Sequence, residues 1–290
     1  MNRKRHLRIN FFYIIPAVLL VLLIISNKML TVTSYNVRSD KIPENFKGFK
    51  LALIADLHNA SFGKDNRILL NKLEKMEPDA VLLAGDMVST SDKEYTVFFS
   101  LAQKLAQRYE TYYVVGNHEQ ALGEKEVNLF CQNAESEGIK VLDNQRVSII
   151  RGNEKINLYG MWFNLRFYAD RSPEADKSQQ YYFDVDTITE ILGQSSKNEF
   201  NILLTHNPLY FDTYEKWGAD LTLSGHIHGG MIRIPFIGGV YSPEKTYFPE
   251  YDGGIYAKNN SQMIVSRGMG NGGLGFRFLN CPELVEVVLK

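Results

Sequence analysis

Hydrophobic and polar positions divide the chain into stretches of different period. Between Lys50 and Gly138, short all-apolar runs alternate with segments whose apolar residues recur every three or four positions. "KLALIAD", "DAVLLAGD" and "TYYVVGN" have the length and continuity of buried strands. "NRILLNKLEKM", "EYTVFFSLAQKLAQR" and "EKEVNLFCQNAESEG" have the spacing of amphipathic helices. This β-α-β-α-β rhythm predicts a largely buried sheet with helices on its faces. Farther along, "RVSIIRG", "KINLYGMWF", "MIRIPF", "QMIVSRG" and "ELVEVVLK" read as meander strands, while "FNILLTH" and "ADLTLSGH" read as two more strands leading to polar ends. Between them "ADRSPEADKSQQ", with Pro173, reads as a polar surface loop. There is no fixed-period repeat and no low-complexity tract. The pattern predicts one two-sheet core flanked by helices rather than two separate domains.

The N-terminus follows another rule. "MNRKRHLR" is strongly basic, and Ile9 to Ile25 is apolar except for Asn10. That length lies between a signal-peptide core and a short transmembrane helix. The following "SNKMLTVTS" offers no small-x-small cleavage site, which favours an uncleaved anchor. The cationic flank stays in the cytoplasm, so everything after Asn27 is expected outside. Pro16 is tolerable inside a membrane helix. The expected organisation is a leader and anchor over 1–28, a polar connector over 29–48 and one domain over 49–290. The expected location is the cell membrane, single-pass, with the domain on the extracytoplasmic side; secretion after leader cleavage is the alternative.

Composition adds little. A net charge of −1 gives no whole-protein pull toward nucleic acid. Cys131 and Cys281 lie far apart with no Cys-rich framework, and read as buried free thiols.

The chemistry gathers where the apolar runs stop. "LALIA" is followed by Asp56-Leu57-His58, "VLLAG" by Asp86, and "YYVVG" by Asn117-His118-Glu119. "NILLT" is followed by His206-Asn207, and "LTLSG" by His226-Ile227-His228. Of six histidines, all but His6 fall at these ends. Singly, each residue has an ordinary structural use: Asp56 or Asp86 as a helix cap, Asn117 and His58 in turns, Glu119 starting a helix, His206 before Asn207-Pro208. Jointly those uses must produce the same pattern five times, so a shared site is the better reading. The C-terminal edge of a buried sheet is where an α/β protein gathers a site. If strand geometry persists, His226 and His228 point the same way, and Gly229 and Gly230 then permit a sharp turn or a close approach. Carboxylate, imidazole and amide oxygen together suit Mn²⁺, Fe²⁺ or Zn²⁺. Asp56, His58, Asp86, Asn117, His206, His226 and His228 are too many for one tetrahedral ion. Two ions about 3.5–4 Å apart with a shared carboxylate use them naturally, binding phosphate oxygens and activating a water for in-line attack.

With "DLH", "GD", "GNHE", a histidine before Asn-Pro, and "GHIHGG" in that order, the chain resembles the calcineurin-like metallophosphoesterases over roughly residues 50 to 230. Downstream, "RIPFIGGVYSPEKTYFPEYDGGIY", "IVSRGMGNG" and "CPELVEVVL" resemble the membrane-linked bacterial subgroup of YkuE-like and YaeI-like proteins. That subgroup has glutamine after the glycine pair, where this chain has Met231. The resemblance implies a four-layer αββα sandwich of two mixed sheets flanked by helices. It also implies a ligand division: Asp56, His58, Asp86 and His228 on one ion, and Asp86, Asn117, His206 and His226 on the other. Asp86 would be the bridge. His118 would stabilise the phosphoryl transition state or protonate the leaving oxygen, with Glu119 a weak candidate to orient it.

The implied activity is hydrolysis of a phosphomonoester, phosphodiester or pyrophosphate, and the alternative is a non-catalytic metal-binding envelope protein. A membrane position favours a phospholipid, a lipid-linked pyrophosphate or a nucleotide-sugar lipid. The aromatic residues from Tyr241 to Tyr256, with Phe167 and Tyr168, are candidates to line such a pocket, although core packing is the commoner use. Arg166, Arg233, Arg267 and Arg277 are unranked candidates for phosphate contact. A metallo-β-lactamase-type site needs His-x-His-x-Asp-His, and an amidohydrolase barrel opens on His-x-His. Neither order occurs here.

Overall fold

The computed structural model describes residues 3–168, 183–272 and 275–290, with side chains at 3–12, 166 and 167 left aside. The surface-loop expectation over 169–180, and the side chains of Arg166 and Phe167, therefore lie outside the described residues. Two six-stranded sheets carry the fold. The first runs β1 (Thr31–Val37), β14 (Glu283–Leu289), β2 (Lys50–Ile54), β3 (Ala80–Ala84), β4 (Glu110–Val114) and β5 (Lys140–Val141). Its order in the second is β12 (Gly254–Lys258), β13 (Ser261–Val265), β9 (Leu221–Ser224), β8 (Asn201–Thr205), β7 (Glu154–Met161) and β6 (Gln145–Arg151). Both are mixed. β14 is antiparallel to β2 in the first, while β6 and β12 run antiparallel at the two edges of the second.

Strand alternation sorts the apolar residues into layers. Leu51 and Leu53 of β2 face the second sheet, where they join Leu82, Ile202, Leu204, Leu221, Leu223 and Ile264 in one buried cluster. Ala52 and Ile54 face the other way, toward α2 (Arg67–Met76), α3 (Thr96–Ala106) and α5 (Glu124–Ser136), meeting Leu69, Leu73, Phe98, Leu101 and Phe130. The outer face of the second sheet is covered by α6 (Val185–Leu192) and α7 (Phe211–Trp217), through Ile188, Tyr214 and Trp217. Helix, sheet, sheet, helix is the order of layers. A one-turn α4 (Asn117–Gln120) follows β4, and a short hairpin of β10 (Arg233–Ile234) and β11 (Gly238–Gly239) stands apart.

Three sequence expectations change. Thr31–Val37, expected as connector, is an edge strand paired in parallel with β14. Its side chains alternate between exposed and half-buried until Val37, so the polar edge position hides the strand signal. Only part of the meander expectation holds: β6–β7 and β12–β13 are hairpins, but β7, β8, β9 and β13 pair in parallel. Both cysteines are free but half-buried rather than buried. Burial pushes the Cys131 thiol up to about 12, so it stays protonated.

The apolar N-terminal run is one helix, α1 (Arg3–Lys28), with Pro16 inside. Its side chains are described only from Tyr13 on, and over the described residues no helix is long and apolar enough to cross a membrane. From Tyr13 to Ile25 its large apolar side chains are mostly exposed.

Leu53 packs between the two sheets with no exposure. Leu53→Ala should cost about 2–5 kcal/mol, because a cavity at the centre of two sheets cannot collapse easily. Urea unfolding of the variant, with an unchanged m-value, checks it.

Candidate metal centre

Five parallel strands deliver the candidate residues to one cleft: β2, β3 and β4 from the first sheet, β8 and β9 from the second. The chain leaves each sheet edge by an abrupt turn. Asp56 (φ 51), His58 (φ 47), Asp86 (φ 55), His226 (φ 74) and His228 (φ 52) all have left-handed backbone. Asp and His tolerate that region better than most residues. β9 ends at Ser224, so strand geometry does not persist to His226 and His228; His228 lies in a short turn instead. The glycines after them do not border the cleft. A side chain on Gly229 would meet Asn280, and one on Gly230 would meet the backbone of Gly239 in β11. They permit a close approach of backbone to backbone.

The donor atoms fall into overlapping groups. Asp56, His58 and His228 form one, and Asp86, His206 and His226 another, each with its donor atoms within 4.8 Å of one another. Asp86 also groups with His58 and His118. Its Oδ2 lies 3.1 Å from His206 Nε2 and 3.9 Å from His58 Nε2. Asp56 Oδ1 lies 3.5 Å from His228 Nε2 and 3.8 Å from His206 Nε2. His58 Nε2 and His228 Nε2 face each other at 3.1 Å. Asn117 Oδ1 is buried with no hydrogen-bond partner, and His206 Nε2, also buried, faces the Asp86 and Asp56 carboxylates. Buried polar atoms are almost always paired. An unpartnered amide oxygen, and imidazole nitrogens turned toward two carboxylates, suit divalent cations, so the residues present fit the implied metals.

Electrostatics agree with that donor set. Burial alone would raise Asp86, but the His206 charge and hydrogen bond hold its carboxyl well below the carboxylate range. Burial pushes Asp56 up to about 6 against the pull of His206. His206 rises to about 9, because Asp86 outweighs the burial that would lower it. Burial lowers His58 to about 4, and burial with the His58 and Arg277 charges holds His228 well below its usual value. Two imidazoles are thus kept neutral with lone pairs to offer.

A model of the calcineurin-like phosphoesterase family matches residues 49–230, more than half of the chain. The chain belongs to that family. The uncharacterized metallophosphoesterase YkuE of Bacillus subtilis (strain 168) is 26% identical over 268 residues, covering 90% of this chain and 86% of its own length. Phosphodiesterase YaeI of Escherichia coli (strain K12) is 29% identical over 255 residues, covering 85% and 84%. These two bear out the subgroup expectation. A 5′-nucleotidase candidate from Staphylococcus aureus, solved with alpha-ketoglutarate, shares the fold at a TM-score of 0.50 and 12% identity, over 83% of this chain and 54% of that one.

In this calcineurin-like site the surroundings of the histidines fix which nitrogen is free. His206 Nδ1 donates to the Ala84 carbonyl at 2.6 Å, leaving Nε2 open toward Asp86. His226 Nε2 donates to Glu244 Oε1 at 2.5 Å, so Nδ1 is the nitrogen left over. A carboxylate behind a ligand histidine fixes its tautomer and raises its basicity. The Thr90 amide donates to His118 Nδ1 at 3.2 Å, which places the ring proton on Nε2. Thr90, rather than Glu119, orients His118. Glu119 instead accepts the backbone N–H of Asp86, Met87, Val88 and Gly116, tying the loops after β3 and β4 together. Burial and the Asp86 charge push it up to about 7.

The three arginine candidates whose side chains are described are engaged in the protein. Arg233 pairs with Asp252 and Arg267 with Glu283. Arg277 is fully buried, donating to the Gly270 and Arg267 carbonyls, with Nη2 at 3.3 Å from His228 Nδ1. Of the aromatic candidates, Tyr168 stands edge-on to the His226 ring at 5.0 Å. Tyr251 and Tyr256 pack on each other at 5.1 Å beside Phe211. Glu244 is the residue that sequence reading missed; its segment "SPEKTYFPEYDGG" was noted, but nothing singled out that carboxylate. Glu244→Ala should weaken divalent-metal affinity about 10–100-fold, with Glu244→Gln intermediate. Equilibrium metal titration read by elemental analysis checks this independently of turnover.

Proposed function

We propose that the chain is a phosphoester hydrolase working with two divalent cations, Mn²⁺, Fe²⁺ or Zn²⁺, and held at a cell-envelope membrane by α1. The observation that carries the reading is the position of Asp86 between His58 and His206, so that one carboxylate is shared by two donor groups. Asp56, His58 and His228 with Asp86 would hold one ion; His206, His226 and Asn117 with Asp86 would hold the other. Bound there, the two cations would polarise the phosphoryl oxygens and activate the attacking water.

The remaining work falls to side chains. His118 is half-buried, edge-on to His58 at 4.7 Å, and carries its proton on the nitrogen away from Thr90. It donates that proton to the leaving oxygen. Its backbone N–H, bonded to Asp86 Oδ1 at 2.8 Å, ties its position to the shared carboxylate. The printed description of YaeI as a phosphodiesterase favours a diester as substrate. The apolar run Ile9–Ile25, its basic flank and the exposed apolar side chains of α1 support a bilayer anchor, with the basic end cytoplasmic and the domain on the other side. An envelope phosphoester, lipid- or sugar-linked, is then the substrate class.

The full chain in detergent, stripped and refilled with each metal, tests the reading on a nitrophenyl monoester and a bis-nitrophenyl diester. Metal-dependent turnover is expected, abolished in Asp86→Ala. His118→Gln should lower kcat by about 10²–10⁴-fold with KM nearly unchanged. Two bound ions without turnover on either ester would favour the non-catalytic alternative. Chelation should also lower the melting temperature, since an ion at about 1,000 times its Kd adds about 4 kcal/mol to the folded state.

A further inference from the structure

The last turn of α1 is tied to the segment 277–281. Ser26 Oγ accepts the Leu279 N–H at 2.8 Å. Asn27 accepts the Arg277 N–H at 3.0 Å and donates to the Arg277 carbonyl at 2.8 Å. On its other side the same segment holds the β10–β11 hairpin: Arg233 N–H donates to the Phe278 carbonyl at 3.0 Å, and Phe278 N–H to the Met231 carbonyl at 3.3 Å. Helix end and hairpin are therefore neighbours across one stretch of chain.

The hairpin tip is Pro235-Phe236-Ile237, and it is apolar in the open. Phe236 is wholly exposed and Ile237 66% exposed. Ile234 and Leu279 beside them are exposed by 40% and 39%. Phe248, bonded through its N–H to the Val240 carbonyl just after β11, adds another exposed ring. Scattered exposed apolar residues are ordinary, but a contiguous set at a projecting tip marks a contact. The two-residue strands of the hairpin are too short to offer an edge for pairing with a second copy.

We propose that the β10–β11 hairpin is a second lipid contact, its Phe236 and Ile237 inserting into the interfacial layer of the same bilayer that holds α1. The inference rests on the reading of α1 as a bilayer anchor. Continuity with that helix names the occupant: what surrounds its exposed apolar side chains from Tyr13 to Ile25 begins at the same segment that carries the hairpin. The insertion bears on the site, because only Met231 and Ile232 separate the His228-Gly229-Gly230 turn from the hairpin, and the loop leaving it carries Glu244. Arg277, between the two contacts, touches His228. A bilayer gripped at both places keeps the metal-type cluster within the head-group layer, where lipid phosphoesters lie.

The test uses the full chain in phosphatidylglycerol–phosphatidylethanolamine vesicles, with Phe236→Trp compared against the native Trp162 and Trp217 background. Lipids brominated near the head group should quench the added emission, while lipids brominated at the chain ends should quench it less. A chain that resists carbonate extraction yet shows no quenching of the added tryptophan would overturn the hairpin contact and leave the anchor standing. A chain released by carbonate, and unbound to vesicles, would overturn the anchor and the inference with it. Emission shifted to the blue without lipid, in step with self-association that Phe236→Asp abolishes, would assign the tip to a second copy and overturn the lipid contact.

Discussion

A carboxylate taken wholly out of water must be met by donors or positive charge on every side, and Asp86 imposes that requirement on the whole site. Its Oδ1 takes the His118 amide and its Oδ2 faces His206, with His58 farther off. Its own amide is held by Glu119. Three strand ends from two sheets thus converge on one side chain. Gly116 has no side chain to spare there, since a Cβ would overlap the Asp86 carboxylate. Moving any of these loops leaves a buried charge exposed to nothing but apolar protein.

The left-handed turns follow from the same demand. A side chain on a continuing strand points sideways into the sheet stack, where the cores already lie. A turn immediately after the strand aims it off the sheet edge instead. Non-glycine residues in this region cost roughly 1 kcal/mol or more each, and they persist where neighbours over-determine them. Here the neighbours are the other loops of the candidate site. Asp56 N–H donates to the Gly85 carbonyl at 3.1 Å, His58 N–H to the Asp86 carbonyl at 3.0 Å, and His226 N–H to Asp56 Oδ1 at 3.0 Å. Each loop is braced by the next, so the strain is shared around the cleft.

Periodicity made the β2-α2-β3-α3-β4 half legible, because those strands are buried on both faces and their helices on one. The residue types at the strand ends made the cluster legible, because all histidines beyond the leader gather there. What escaped has physical reasons. β1 is a polar edge strand whose partner lies at the far end of the sequence, so no local pattern marks it. Arg277 looks like any surface arginine until three carbonyls and the end of α1 close over it. Glu244 reaches His226 through a loop, and loop contacts leave no periodic trace. The glycine pair was expected to permit a sharp turn or a close approach, and what approaches is Asn280 at Gly229 and β11 at Gly230.

Two of these omissions, Glu244 and Arg277, share a location. Among the described residues, every member of the candidate donor groups lies within the family match of 49–230, whereas part of what braces them comes from beyond it. Glu244 fixes His226, Arg277 faces His228, and Gly272 lies so close to the His228 ring that a Cβ there would stand 2.5 Å from Nε2. The candidate donor set fits the phosphoester chemistry that the family's description names. Differences in metal affinity have one route through the segment after residue 230, which in this chain is bonded to the end of α1. The end of α1 and the segment that touches His226 and His228 are one continuous hydrogen-bonded structure.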